Sequence, residues 1–137
     1  MEFPLQNDER RDAVSFAQTH DAHALHLQNV EILWGDVETP GGSKLSDGAA
    51  DVVIIANTLF QMHHRSAAIT EAFRILKPGG KVIFIDWSDS FGGLGPRTSE
   101  VVTPAVAREL FERQGFKMER ELTGVGDHHY GFIVRKT

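Results

Sequence analysis

The feature that most constrains this chain is the run Asp51–Asn57, "DVVIIAN", in which Val52, Val53, Ile54 and Ile55 follow one another with no polar residue between them. A short β-branched run bounded by turn formers reads as a strand, and its lack of alternation predicts cover on both faces, as in a parallel sheet. Downstream, "SAAITEAFRILKPGG" sets Ala68, Ile69, Ala72, Phe73 and Leu76 on one helical face and stops on Lys77, Pro78 and Gly79. "KVIFIDW" then reads as a second strand. Strand, helix and strand joined by a right-handed crossover give a parallel sheet, and hence an α/β fold.

The flanking segments extend this unit. "NDERRDAVSFAQTHDAHALHLQ" carries Val14, Phe16, Ala17, Ala24 and Leu27 at helical spacing and predicts a helix of about 18 residues. "VEILWGD" alternates Val30, Ile32 and Trp34 and reads as a strand, while "ETPGGSKLSDGAA" and "SDSFGGLGPRTSEVV" read as loops. Thr103 caps a helix with Pro104 at its first position and Gly115 at its end. "FKMERELT" and "HHYGFIVRK" close the chain as a hairpin.

With 137 residues, 41% of them hydrophobic and 24% charged, the chain is expected to be one domain, 1–137, around one core. A net charge of −5 supplies no general electrostatic attraction to nucleic acid or to an anionic membrane. No apolar run approaches the ~18 residues of a membrane span, and "MEFPLQNDERR" lacks a signal-peptide core, so a cytoplasmic protein is expected. The absence of cysteine excludes disulfides, thiolate metal sites and cysteine nucleophiles within these residues.

Taken in order, "VEILWGDVE", "ADVVIIANTLFQM", "AFRILKPGGKVIFIDW" and the final "HHYGFIVRK" resemble the later two-thirds of a class I S-adenosylmethionine-dependent methyltransferase, over about residues 29–135. The resemblance implies a truncated Rossmann-like sheet, mostly parallel with an antiparallel C-terminal hairpin. It also implies S-adenosylmethionine as cofactor and methyl transfer to a small-molecule or macromolecular acceptor. It gives Asp36 the position that hydrogen-bonds the adenine amino group, and Asn57 the place where cofactor and substrate pockets meet. Both lie at strand ends that face the ligand crevice of open α/β sheets. Taken alone, Asp36 is a turn residue after glycine and Asn57 a strand-end cap.

The departure from the family is at the N-terminus. Such enzymes begin with a strand and a glycine-rich turn whose N–H groups meet the cofactor, followed by a second strand ending in an acidic residue. Residues 1–34 contain no glycine, and the helix expected in residues 1–28 takes the place of those strands. "DVVIIAN" then needs a new neighbour. Either "VEILWGD" moves over to pair with it, or a second copy of the chain supplies a strand or helix, as in a domain-swapped homodimer, and the homodimer is the expectation.

Seven histidines are the compositional oddity. An antiparallel last strand brings His128 and His129 to the sheet edge where Asp86 ends "KVIFIDW", and His63 and His64 follow "DVVIIAN" toward the same edge. Imidazole and carboxylate ligate zinc in open catalytic sites, so His63, His64, His128, His129 and Asp86 are a candidate metal set, with Asp86 and His129 as catalytic candidates. His20 and His23, three apart on the first helix, are further candidate ligands. The bland reading is that these are polar loop residues, since no pair has HExxH spacing. Ser88 and Ser90 lack a GxSxG turn. Three classes therefore stand: a methyltransferase or its relic, a metal-dependent hydrolase of phosphate or carboxylate esters, and a non-catalytic dimerising module.

Overall fold

A computed structural model describes residues 28–137. The N-terminal helix expected from the sequence, with His20 and His23, lies outside them. The chain divides after Gly35 into two compact units. In the first, the described residues 28–35 form neither helix nor strand, and Val30, Leu33 and Trp34 are exposed. This corrects the strand expected for "VEILWGD". An alternating pattern becomes a strand only where a neighbour takes its backbone N–H and C=O groups, and among the described residues none does.

The second unit, Asp36–Thr137, holds every regular element described. These are β1 (Ala50–Ala56), α1 (Arg65–Ile75), β2 (Leu76–Trp87), α2 (Pro104–Gln114), β3 (Phe116–Leu122) and β4 (His129–Lys136). The sheet order is β1-β2-β4-β3. β1 and β2 are parallel, whereas β4 is antiparallel to both its neighbours. The crossover helix and the closing hairpin are those expected from the sequence.

Alternation along β2 decides where the core sits. Val82, Phe84 and Asp86 are buried, and each stands opposite a residue of β4 in the same row: Val134, Phe132 and Tyr130. Phe111 of α2 and Ile69 and Ala72 of α1 complete the cluster, with the Phe84 and Phe111 rings 5.1 Å apart. Both helices therefore back one face of the sheet. On β1, Val53 and Ile55 pack against this core, while Val52 and Ile54 are 50% and 67% exposed. Among the described residues the two-faced cover expected for "DVVIIAN" is thus not found: the run lacks alternation in sequence but is one-sided in its burial.

The stop signal after α1 also does more than end a helix. Lys77, Pro78, Gly79 and Gly80 bulge out between the pairings Ala50–Leu76 and Val52–Lys81, with Gly79 at φ +82. At Gly80 a side chain would sit 2.8 Å from the Lys77 carbonyl oxygen and 3.0 Å from that of Asp51. The bulge is the turn that lets β2 start beside β1 immediately after the helix.

Candidate active-site crevice

The carboxyl ends of β1 and β2 and the start of β4 meet at one rim. β1 leaves the sheet at Asn57, whose backbone sits in the left-handed region at φ 55 and whose N–H donates to the Ile85 carbonyl at 2.9 Å. Asparagine tolerates this conformation better than most residues, so the exposed Asn57 side chain is set at the exit by local backbone chemistry. A 3₁₀ turn, Leu59–Gln61, follows at once.

Asp86 lies beneath that turn, fully buried. Its two oxygens accept from the N–H groups of Phe60 at 3.1 Å and Trp87 at 2.8 Å. Burial pushes its carboxyl above the ordinary aspartate range, against the pull of those N–H groups and of Arg65. Arg65 was not singled out from the sequence, yet its guanidinium donates to the carbonyls of Leu59 (3.1 Å), Phe60 (2.8 Å) and Glu100 (3.1 Å). A cation as the first residue of a helix opposes the helix dipole, and that mismatch was the available signal. Tyr130, opposite Asp86, donates its hydroxyl to the Val102 carbonyl, and burial raises its pKa well above the phenol range.

The rim itself carries His128 and His129, the residue before β4 and the first residue of β4. His129 pairs in register with Trp87, and the two rings stack at 4.3 Å. Side chains alternate along a strand, so the row of Trp87 and His129 faces away from the row of Asp86 and Tyr130. Asp86 and His129, joined as catalytic candidates in the sequence, thus occupy opposite faces. His128 lies over Phe91, centroids 3.8 Å apart, with Nδ1 3.0 Å from both oxygens of Asp89. This pairing holds the Asp89 carboxyl below its usual range.

His63 and His64 go elsewhere. They line an open cleft of about 600 Å³ at the start of α1, together with Val106 and Leu110 of α2. His64 precedes the helix, and its backbone N–H donates to Glu38 at 2.6 Å. Among the described residues no three His, Asp or Glu side chains are grouped to hold a metal ion. The expected set fails for a geometric reason: His63 and His64 diverge toward the helices, His128 is engaged by Asp89, and the oxygens of Asp86 point into the core. The ester hydrolase built on that set is not supported.

Asp36 opens the loop before β1. Its carboxylate accepts from the Glu38 N–H at 3.0 Å and the Thr39 hydroxyl at 3.1 Å, which closes a turn while leaving the group exposed. The same loop is tied to α1 by Glu71, which accepts from the N–H groups of Gly41 (2.9 Å) and Ser43 (3.0 Å), the Ser43 hydroxyl (2.6 Å) and Arg74 (2.7 Å). Glu71 was also missed; its signal was an acidic residue amid the apolar positions Ala68, Ala72 and Ile75.

Comparison with known proteins decides the family. Residues 7–84, more than half of the chain, match the model of a family described as a methyltransferase domain. The chain belongs to this family. A curated methyltransferase relative, the arsenite methyltransferase of Aquipseudomonas alcaligenes, is 30% identical over 82 residues, 58% of this chain and 24% of that protein. The chain therefore spans about a quarter of that relative's length. The solved structure of a SAM-dependent methyltransferase from Aquifex aeolicus is similar with a TM-score of 0.74 and 24% identity, covering 86% of this chain and 61% of that one. The [4+2]-cyclase SpnF matches with a TM-score of 0.69 and 17% identity, over 86% of this chain and 60% of that one. At these identities both structures speak to the fold alone, and one of them is a cyclase, so the methyltransferase-domain fold does not by itself name a reaction.

Proposed function

We propose that this chain is a methyl-transfer module with S-adenosylmethionine as donor and a small molecule as acceptor, working at the rim of β1 and β2. The observation that carries the reading is Asn57, held left-handed and exposed where β1 leaves the sheet, in a chain of the methyltransferase-domain family. Ligands of open α/β sheets bind outside the carboxyl ends of parallel strands, and this is the one parallel junction among the described residues.

The residues present fit one end of the donor. Asp36 accepts one hydrogen bond on each carboxylate oxygen and keeps free lone pairs for an amino group. Asn57 offers an amide at the junction. The glycine-rich loop that meets the cofactor in the family is not in residues 1–34. When bound, the donor supplies an electrophilic methyl group on sulfonium. Asp86 serves as a positioning residue that fixes the turn after Asn57 through the Phe60 N–H. Proton removal from an acceptor falls to the imidazoles at the start of β4, His129 beside Trp87 and, just before the strand, His128 held by Asp89. The arsenite activity of the curated relative is not carried over, because these residues include no cysteine to ligate a soft arsenic centre.

Calorimetric titration of the chain with S-adenosylmethionine tests the reading. With one end of the donor gripped, a Kd on the order of 100 µM is expected, weakened about fivefold by Asp36→Ala or Asn57→Ala. No heat at about 1 mM donor would overturn it and leave a non-catalytic module of the same fold.

A further inference from the structure

We propose that Glu71 is a positioning residue for the donor, one that touches no ligand: resting on the methyl-donor reading above, it holds the turn that presents the Asp36 carboxylate to the adenine amino group. Glu71 is buried on α1 among the apolar residues Ala68, Ala72 and Ile75. A carboxylate there is costly unless its oxygens are supplied with donors. One loop and one neighbour supply them. Oε1 accepts from the Gly41 N–H at 2.9 Å, and Oε2 from the Ser43 N–H at 3.0 Å and the Ser43 hydroxyl at 2.6 Å. Arg74 closes the other side as a two-pronged pair, Nε to Oε1 at 3.0 Å and Nη2 to Oε2 at 2.7 Å. Arg74 also donates to Asp47 at 2.6 Å and to the Leu45 carbonyl at 2.7 Å, and its own carbonyl accepts from the Gly48 N–H at 3.1 Å. The two side chains thus mount residues 41–48 on α1.

The link from this mount to Asp36 runs through Gly42. Its two neighbours are the residues whose N–H groups Glu71 takes, and a side chain at Gly42 would overlap the Asp36 carbonyl oxygen and sit 2.8 Å from that of Thr39. The chain therefore folds back onto the residue whose carboxylate is to be aimed, in a contact that only glycine permits. Inside the turn, the Thr39 N–H donates to the Asp36 carbonyl at 3.0 Å and the Gly42 N–H to the Thr39 carbonyl at 2.8 Å. Glu38 ties the outgoing arm to the start of α1, accepting from the His64 N–H at 2.6 Å, and Glu71 ties the return arm. Gly41, Lys44 and Gly48 all lie at positive φ, 73, 64 and 65. For Lys44 that conformation is strained, so the path of the loop is imposed by its mounts and not by local preference. An exposed carboxylate on such a loop points as steadily as the loop is held, and a direction set beforehand spares binding the cost of ordering it.

Calorimetric titration of the whole chain with S-adenosylmethionine, in a double-mutant cycle with Asp36→Ala, is the test. Glu71→Gln keeps the size of the side chain and removes the charge that gathers the loop N–H groups. Gly42→Ala pushes the turn away from Asp36 without touching α1, and serves if the first variant does not fold. With a native dichroism spectrum, each should raise the dissociation constant about fivefold, as Asp36→Ala does, and by less than about twofold once residue 36 is already alanine. A residue that merely braces the fold would lower the thermal midpoint and leave donor affinity unmoved. Equal affinity of the native chain and both folded variants would overturn the assignment while the donor reading stands. A loss of about fivefold that persists in the Asp36→Ala background would overturn it too, because Glu71 would then act on the donor by a route other than Asp36. No heat from the native chain at about 1 mM donor would overturn the donor reading and this assignment together.

Discussion

Asp86 is a carboxyl held in the core by two backbone N–H groups, and the balance between desolvation and those bonds is measurable. Its pKa lies above the ordinary value, so its ionisation opposes folding: stability declines as pH rises from about 4 through the folded value. Asp86→Asn removes the charge but keeps one oxygen acceptor for the two N–H groups, so it is less stable than the native chain, by a margin in thermal midpoint that should narrow as pH rises from about 4 to about 8. Asp86→Leu orphans both N–H groups and should lose about 2–4 kcal/mol in urea titration. A margin that widens as pH rises would show that the attraction of Arg65 for the charge on Asp86 outweighs its burial. Glu71 behaves in the opposite sense. Arg74, then Ser43 and Gly41, hold its carboxyl far below the usual glutamate range. Its contribution is therefore complete above about pH 4.3 and fades as pH falls toward the folded value. Glu71→Ala should cost about 2–3 kcal/mol at pH 7, with a smaller gap from the native chain at pH 3. A gap independent of pH would remove the charge from the explanation.

The elements that local signals specify were legible. α2 starts with Thr103 accepting from the Val106 N–H, has Pro104 in its first turn, and ends at Gly115 in the left-handed region, φ +115. A side chain at Gly115 would also approach the Phe73 ring at 3.2 Å. Gly115→Ala should thus destabilise by about 1–2 kcal/mol in a denaturant titration, beyond what helix propensity alone predicts. An effect near zero would mean that the helix end relaxes. The strand expected over residues 30–36 was not legible, because an alternating pattern states which side would be buried and not whether a partner strand exists. For the same reason "DVVIIAN" was read as covered twice. Its composition fits either environment, and the exposure of Val52 and Ile54 follows from which layers pack on β1.

The whole molecule sets the order of local stability. β2 and β4 are hydrogen-bonded on both sides and hold Phe84, Val82, Phe132 and Val134 at the centre of the core. Amide exchange in dilute solution should be slowest at Val82–Asp86 and Phe132–Val134, faster along β1, and fastest in loops 36–48 and 88–101. Equal protection of β1 and β2 in a monomeric sample would contradict the sheet order.

Sequence by itself determined the crossover, the caps of α2, the closing hairpin and the presence of Asn57 at a strand exit, because each depends on neighbours a few residues apart. Tertiary structure alone decided the fate of the histidines. Whether His63 meets His128 depends on how α1 leaves β1, and whether Asp86 meets His129 depends on strand alternation seen across a register, Trp87 with His129 and Asp86 with Tyr130. Metal and catalytic constellations are long-range coincidences of side-chain direction. A one-dimensional pattern brings residues to the same edge, but only packing says which way they point.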